Sequence, residues 1–253
     1  MPSAIESLPA TSSASAFVRV MHWSAQGLRW WRRAPWMLLL LCLIQLLVES
    51  LLQLIPWVGV ALSKLVVPLL MMGILLGLDE LARGGRLRLA HLLACLNRER
   101  LLPSLGLAAL WGFGVFGFQQ LCACLVYGQP ALDAVLFGHM TAHPALASLQ
   151  FERVLMIPGL LPLTLLSLAP FLLLFRAASP WQAICGSVRL VLANARSFAW
   201  FGLLNVMLFA LIFAGAWTQL LLLLVGPWSM AASYAVWRDI GTSVLPLKHT
   251  AGD

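Results

Sequence analysis

The chain has 253 residues, of which 61% are apolar and only 10% are charged, and it contains 11 tryptophans. This composition would over-fill the core of a water-soluble domain of that length and indicates an integral membrane protein. The net charge of +7 does not indicate a nucleic-acid partner, because most cations border apolar segments, where anionic lipid headgroups account for them.

The chain begins with a polar segment and continues with six apolar ones. Residues 1–16 are small and polar, and we predict a disordered cytoplasmic tail there. Each apolar segment is close to the ~20 residues that cross a bilayer as a helix. The six segments are 36–55, 59–78, 103–127, 154–175, 198–215 and 218–237. The fold class predicted is an all-α polytopic membrane protein with six transmembrane helices in three hairpins.

No charged residue separates the last two apolar segments, 198–215 and 218–237. The 41 residues between Arg196 and Arg238 would measure about 60 Å as one helix, twice the ~30 Å hydrocarbon core. They must therefore fold back, and we place the turn near 215–219. Residues 241–253 then form a second cytoplasmic tail.

The cations set the predicted orientation. Fourteen of the sixteen Lys and Arg residues lie in the N-terminal segment, the second and fourth connections or the C-terminal tail. Only Arg153 and Lys64 fall on the other side. The positive-inside rule therefore predicts that both termini of this multi-pass protein are cytoplasmic.

Three segments on the predicted cytoplasmic side read as amphipathic interfacial helices, at 17–33, 86–99 and 179–196. The third has a clear start, because Ser179 is a good N-cap, Pro180 suits the first turn and Gln182 completes a capping box. Its predicted apolar face contains Trp181, Val188 and Leu192, and its polar face contains Ser187 and Arg189. Each of these helices precedes a hairpin and is expected to cover that hairpin's interfacial edge.

The recurrence of these amphipathic helices before each pair of spans suggests an internal repeat within a single membrane domain at 17–240. The units would be 17–82, 86–176 and 179–240. Asn97 and Asn194 occupy equivalent elbows, and Pro68 and Pro227 each precede a charged residue by eleven positions in a returning helix. The middle unit diverges, with three prolines in one span and a long outer loop at 128–153.

Two local patterns resemble a known group of proteins. They are Ser179-Pro180-Trp181-Gln182-Ala183 with Ser187, Arg189 and Asn194, and the first elbow from Gly27 to Pro35. These are similar to patterns in poorly characterised bacterial six-span inner-membrane proteins. Relatives of that fold include the membrane domain of glycerophosphodiester phosphodiesterases and, more distantly, Yip1-like proteins. The resemblance implies an architecture and an inner-membrane location, and it brings no catalytic residue.

Ionisable residues within predicted spans are the first candidates for function, since each costs a few kcal/mol in the bilayer. The first hairpin contains Glu49 and Lys64, at similar depth on antiparallel helices, so that they could pair. Gln45 and Gln53 lie four residues either side of Glu49 and share its face. This intramembrane polar pair is either a structural ion pair or part of a transport path, and the sequence favours the structural interpretation.

A second set of candidates is basic and aromatic and should face lipid headgroups at the interface: Arg29, Trp30, Trp31, Arg32, Arg33, Arg189 and Arg196. The predicted partners are membrane lipids with anionic headgroups, with membrane-protein partners as a further possibility through small-residue surfaces. His139 and His143 have the spacing of metal ligands on a helix, but they lack a nearby third ligand and are interpreted as solvated loop residues.

The sequence predicts no enzyme, because it contains no H-E-x-x-H, G-x-S-x-G or P-loop motif. It predicts no cofactor and no metal site. Two function classes remain. The first is a non-enzymatic membrane module that binds lipid or protein as a scaffold. The alternative is a transporter or transporter subunit that uses Glu49 and Lys64.

Overall fold

The computed structural model describes residues 13–55, 58–137, 148–215 and 217–243. Within these ranges every regular element is helical. Six segments are long and apolar enough to cross a membrane: Pro35–Gln53, Gly59–Ala82, Arg98–Tyr127, Gln150–Arg176, Ala195–Ile212 and Trp217–Gly241. The prediction of an all-helical, multi-pass protein with six apolar spans is confirmed, with each span shifted by a few residues at its ends.

Helix α1, Ser13–Arg33, starts inside the predicted tail, so residues 13–16 are helical and that part of the prediction is wrong. It packs chiefly on the last two spans and makes few contacts with the helix that follows it. Its buried stripe contains Val20 and Trp23, both at most 1% exposed, and Gly27. A β-carbon at Gly27 would lie 2.7 Å from the Cα of Ala232, so only glycine permits this close crossing.

The first hairpin consists of α2, Pro35–Gln53, and α3, Gly59–Ala82, which pack along each other. The predicted amphipathic helix at 86–99 is instead a 3-10 helix, Leu89–Leu96, lying against α3. His91 lies against α3, and its Nε2 is 2.7 Å from Glu80 Oε2. This polar contact fixes the segment on α3 in a way that periodicity did not indicate.

The third span is α4, Arg98–Tyr127, whose 30 residues measure about 45 Å and exceed a hydrocarbon core. The predicted loop at 128–153 begins with helix α5, Gln129–Phe137, so the loop prediction is wrong there. A small second core joins α5 to the C-terminal end of α4 and to the next span: Ala123, Ala131, Ala134, Phe151 and Leu155.

The fourth span is broken into three helices, α6 (Leu149–Met156), α7 (Leu160–Leu165) and α8 (Ala169–Arg176). Its prolines at 158, 162 and 170 each lack a backbone N–H and so interrupt the helical ladder. After a left-handed residue at Ala177, helix α9 runs over Pro180–Ala193. The predicted capping box is present, since Ser179 Oγ accepts from Gln182 N–H at 3.3 Å and Gln182 Oε1 accepts from Ser179 N–H at 3.0 Å.

The polar face predicted for α9 is not wholly exposed. Ser187, expected on the polar face, is fully buried. Its hydroxyl donates to the Leu165 carbonyl at 2.8 Å and accepts from the Leu168 N–H at 3.1 Å. It thereby satisfies backbone groups that the break between α7 and α8 leaves without helical partners. Trp181 and Leu192, on the predicted apolar face, are 65% and 61% exposed on the protein surface, which agrees with a face turned towards lipid.

The last two spans are α10, Ala195–Ile212, and α11, Leu222–Ser243, which follows a 3-10 helix at Trp217–Leu221. Residues 241–243, assigned to the predicted tail, are therefore helical. Helix α1 lies against both α10 and α11, which make little contact with each other. Helix α9 in turn packs mainly on α8 and α4. The three segments that precede the hairpins therefore pack more on other spans than on the two that follow them in the chain, which corrects the expected bracing.

Candidate functional site

The structure brings Glu49 and Lys64 together across the first hairpin. Lys64 Nζ is 3.1 Å from Glu49 Oε1, and the same oxygen accepts from Gln53 Nε2 at 3.2 Å. The side chains of Lys64 and Glu49 are 21% and 27% exposed, respectively. Gln45 does not join them: its Oε1 is buried and has no hydrogen-bond partner among the described residues. Three of the four predicted polar residues thus form one contact.

The lysine is also held from the side of α4. Its Nζ lies 5.4 Å from the centre of the Phe116 ring, in a cation–π arrangement. Its backbone carbonyl packs directly on Gly112, where any β-carbon would collide with the carbonyl oxygen. The ion pair therefore sits where α2, α3 and α4 converge, and each charge is compensated by the other.

The predicted basic and aromatic residues divide into two patches. The α1 patch contains Arg29, Arg32 and Arg33, which are exposed, with the half-buried Trp30 and Trp31 between them. Trp30 packs edge-on against Tyr234 of α11, with ring centres 4.8 Å apart. The α1 patch immediately precedes the first span.

The elbow patch contains Arg189 on α9 and Arg196 at the start of α10, both exposed. Arg19 of α1 reaches this elbow, but Arg33 lies fourteen residues further along the helix, or about 20 Å away. The structure therefore does not bring the two sets of arginines into one cluster.

A polar cluster that sequence reasoning missed connects α1 to the end of α11. Asp239 Oδ2 accepts from Arg19 Nε at 2.6 Å and from Trp23 Nε1 at 2.7 Å. Arg19 Nη1 also donates to Asn194 Oδ1 at 3.0 Å, at the elbow between α9 and α10. Arg19 thus connects α1 both to the end of α11 and to the elbow before α10. The signal in the sequence was Asp239 itself, an acidic residue at the end of the last span. Such a residue is easily interpreted as a solvated group at a helix end.

A second cluster connects α3 to α11. Tyr234 Oη donates to Asp79 Oδ1 at 2.7 Å, and Asp79 also pairs with Arg83, one turn further along α3. On the other side of the protein, Glu152 Oε2 accepts from Gln219 Nε2 at 2.7 Å. Arg153 Nε donates to the Phe213 carbonyl at 2.8 Å. These contacts fix the ends of the spans to one another.

The described residues assemble no group of three or more His, Cys, Asp or Glu side chains able to hold a metal. His139 and His143 lie outside the described residues. The arrangement around Glu49 contains one carboxylate, already paired with an ammonium, so it offers no second carboxylate for acid–base chemistry.

The fold and these sites define a helical multi-pass membrane protein. No protein-family model matches the chain, and no curated protein and no solved structure is found to be similar to it. The resemblance to six-span inner-membrane proteins therefore stays a prediction.

Proposed function

We propose that this chain is a non-enzymatic module of the bacterial inner membrane that binds anionic lipids at its cytoplasmic surface and serves there as a scaffold. The observation that carries the proposal is the α1 patch, in which three exposed arginines flank two tryptophans directly before a membrane span. Arginine and tryptophan at such a position suit the negative surface and the headgroup region of the inner leaflet.

The rigid attachment of α1 supports this role. The helix is fixed at its N-terminal half by Arg19 and Trp23 on Asp239, and at its centre by Gly27 on Ala232. The α1 patch is therefore held at a constant position relative to α11. Trp36, 81% exposed in the first turn of α2, extends the aromatic surface of this patch towards lipid.

The transporter alternative uses Glu49 and Lys64, and the ion-pair geometry argues against it. Each charge is neutralised by the other, and Gln53 adds a hydrogen bond to the carboxylate. A transport site needs a group that exchanges its partner during the cycle. A closed pair that also anchors α4 is better suited to fixing the register of the first hairpin.

Lipid enrichment around the purified chain tests the proposal. The full chain is reconstituted in nanodiscs of mixed phosphatidylglycerol and phosphatidylcholine, and the lipids nearest the protein are quantified. We expect phosphatidylglycerol enrichment that falls at high salt, and that falls by about fivefold for each arginine of the α1 patch replaced by glutamine. The matched control replaces Arg153, on the other side of the protein. Equal amounts of both lipids around the wild-type protein would refute the proposal.

Orientation is tested separately. A single cysteine is placed at the exposed position Ala25 of α1 in a chain whose five native cysteines are replaced. A membrane-impermeant maleimide should label it in inverted inner-membrane vesicles but not in intact spheroplasts. Labelling from the outside would place α1 on the wrong side of the membrane for this function.

A further inference from the structure

A groove runs along the broken fourth span, between α7 and α10. Its volume is about 460 Å³, within the ~300–1,000 Å³ range of small-molecule sites. Its walls are almost wholly apolar, with Leu161 and Thr164 of α7 facing Ala199 and Gly202 of α10. The one hydroxyl among these four, on Thr164, already donates to the Leu160 carbonyl at 2.6 Å. The groove therefore suits an apolar occupant.

The position of the groove identifies its surroundings. It lies along two segments that are apolar enough to span the membrane, and exposed leucines border it at positions 161, 192 and 203. It therefore opens towards lipid. An unfilled space would deprive its lining atoms of dispersion contacts, which an apolar chain from the bilayer would supply.

The dimensions of the groove match one leaflet. Its α10 wall extends from Ala195 to Val206, twelve residues whose ends are about 16 Å apart, or roughly half of the ~30 Å hydrocarbon core. The end at Ala195 is the elbow between α9 and α10, where the span begins.

Cations lie at that same end. Arg189 precedes the groove residue Leu192 by three positions on α9, and Arg196 precedes the groove residue Ala199 by three on α10. Residues three apart on a helix are surface neighbours, so both exposed arginines of the elbow patch stand beside the mouth of the groove. Lipid tails are as apolar as leucine, so an apolar groove alone would not select among lipids; the arginines supply the selection.

We infer that this groove is a binding site for one anionic phospholipid, with an acyl chain lying between α7 and α10 and its phosphate paired with Arg189 and Arg196. This inference rests on the proposed lipid-binding function and adds a defined site to it.

Photolabelling tests the site. The full-length chain is reconstituted with phosphatidylglycerol that carries a diazirine in the middle of one acyl chain, and labelled peptides are mapped. We expect labelling concentrated at 157–165 and 199–206. Gly202→Leu fills the groove, since the nearest atom to a β-carbon there is 3.7 Å away on Thr164, and it should reduce that labelling severalfold. Leu203→Trp, at an exposed position on the border, is a second filling variant that does not disturb the core.

Gly226→Leu is the matched control, because a β-carbon at Gly226 meets nothing within 4 Å and the residue lies on α11 away from the groove. It should leave labelling unchanged. Arg189→Gln and Arg196→Gln should each reduce the preference for phosphatidylglycerol over phosphatidylcholine at the groove by about fivefold, whereas the lysine variants should retain it.

The results separate this site from the general function. If labelling were spread evenly around the spans, or were unaffected by both filling variants, the groove site would be refuted while lipid enrichment at the α1 patch could stand. Cross-linking of the groove to a second protein chain in place of lipid would also overturn it. If glutamine variants of the α1 patch abolished all anionic enrichment and groove labelling persisted without headgroup preference, the acyl site would be non-selective and the inference wrong.

Discussion

Replacing Glu49 with glutamine leaves Lys64 charged inside the first hairpin without its carboxylate. The amide is almost the same size and still accepts a hydrogen bond, so the change removes the charge alone. At the observed 3.1 Å the attraction between the two charges is about 5 kcal/mol at an effective dielectric constant of about 20. Desolvation offsets part of it, and partial exposure lets the freed lysine reach outward.

We therefore expect Glu49→Gln to lower the free energy of unfolding by about 2–3 kcal/mol, at or below the low end of the range for breaking a buried pair. Lys64→Met should cost a similar amount, since it leaves the carboxylate unpaired. The double variant should be within about 1 kcal/mol of the wild type, which gives a coupling energy of about 4 kcal/mol.

The assay is reversible unfolding of the purified chain in mixed micelles, followed as SDS mole fraction rises. Ser50→Ala, an exposed neighbour of Glu49 on α2, is the control and should change stability by less than about 0.5 kcal/mol. Additive effects of the two single variants would refute the ion pair as a structural element. A proton or solute flux that disappears in the folded double variant would restore the transporter alternative.

Three other outcomes follow from the described contacts. Asp239→Ala removes the shared acceptor of Arg19 and Trp23, so α1 should become accessible to protease. The free energy of unfolding should fall by about 2–4 kcal/mol in the same assay. An unchanged digestion pattern would contradict this prediction. Gly27→Leu should displace α1 from Ala232 with a similar digestion phenotype, whereas Gly226→Leu should not. Cys95 is fully buried and burial raises the pKa of its thiol, so iodoacetamide at about pH 8 should modify it only after denaturation.

The six apolar spans could be predicted from the sequence because each depends on length and composition, which no tertiary contact overrides. The start of α9 could be predicted for a similar reason, since Ser179 and Gln182 cap it through local bonds. The Glu49–Lys64 contact could be predicted because the two residues lie at similar distances from the turn that joins their helices. In each of these cases, the residues that determine the feature lie within about twenty positions of one another in the sequence.

Tertiary partners could not be predicted in the same way. Trp23 is fully buried, and the acceptor of its indole N–H is Asp239, more than two hundred positions away. Ser187 read as a polar-face residue, and it is buried because a broken span supplies backbone groups for its hydroxyl. A helical projection sorts residues as if the helix had a uniform apolar environment on one side and water on the other. In this protein α1 and α9 instead contact other helices, whose positions no projection contains.

The hydroxyl of Ser187 also constrains the order in which the protein can be made. The chain segment that breaks at residues 166–168 reaches the membrane before α9 has been synthesised, and its freed carbonyl and N–H have no water to bond in hydrocarbon. Stable insertion of the fourth span must therefore wait for some twenty further residues to leave the ribosome. During that interval the fourth span exposes unpaired backbone groups to hydrocarbon. An insertion chaperone that shields such groups would act at this step.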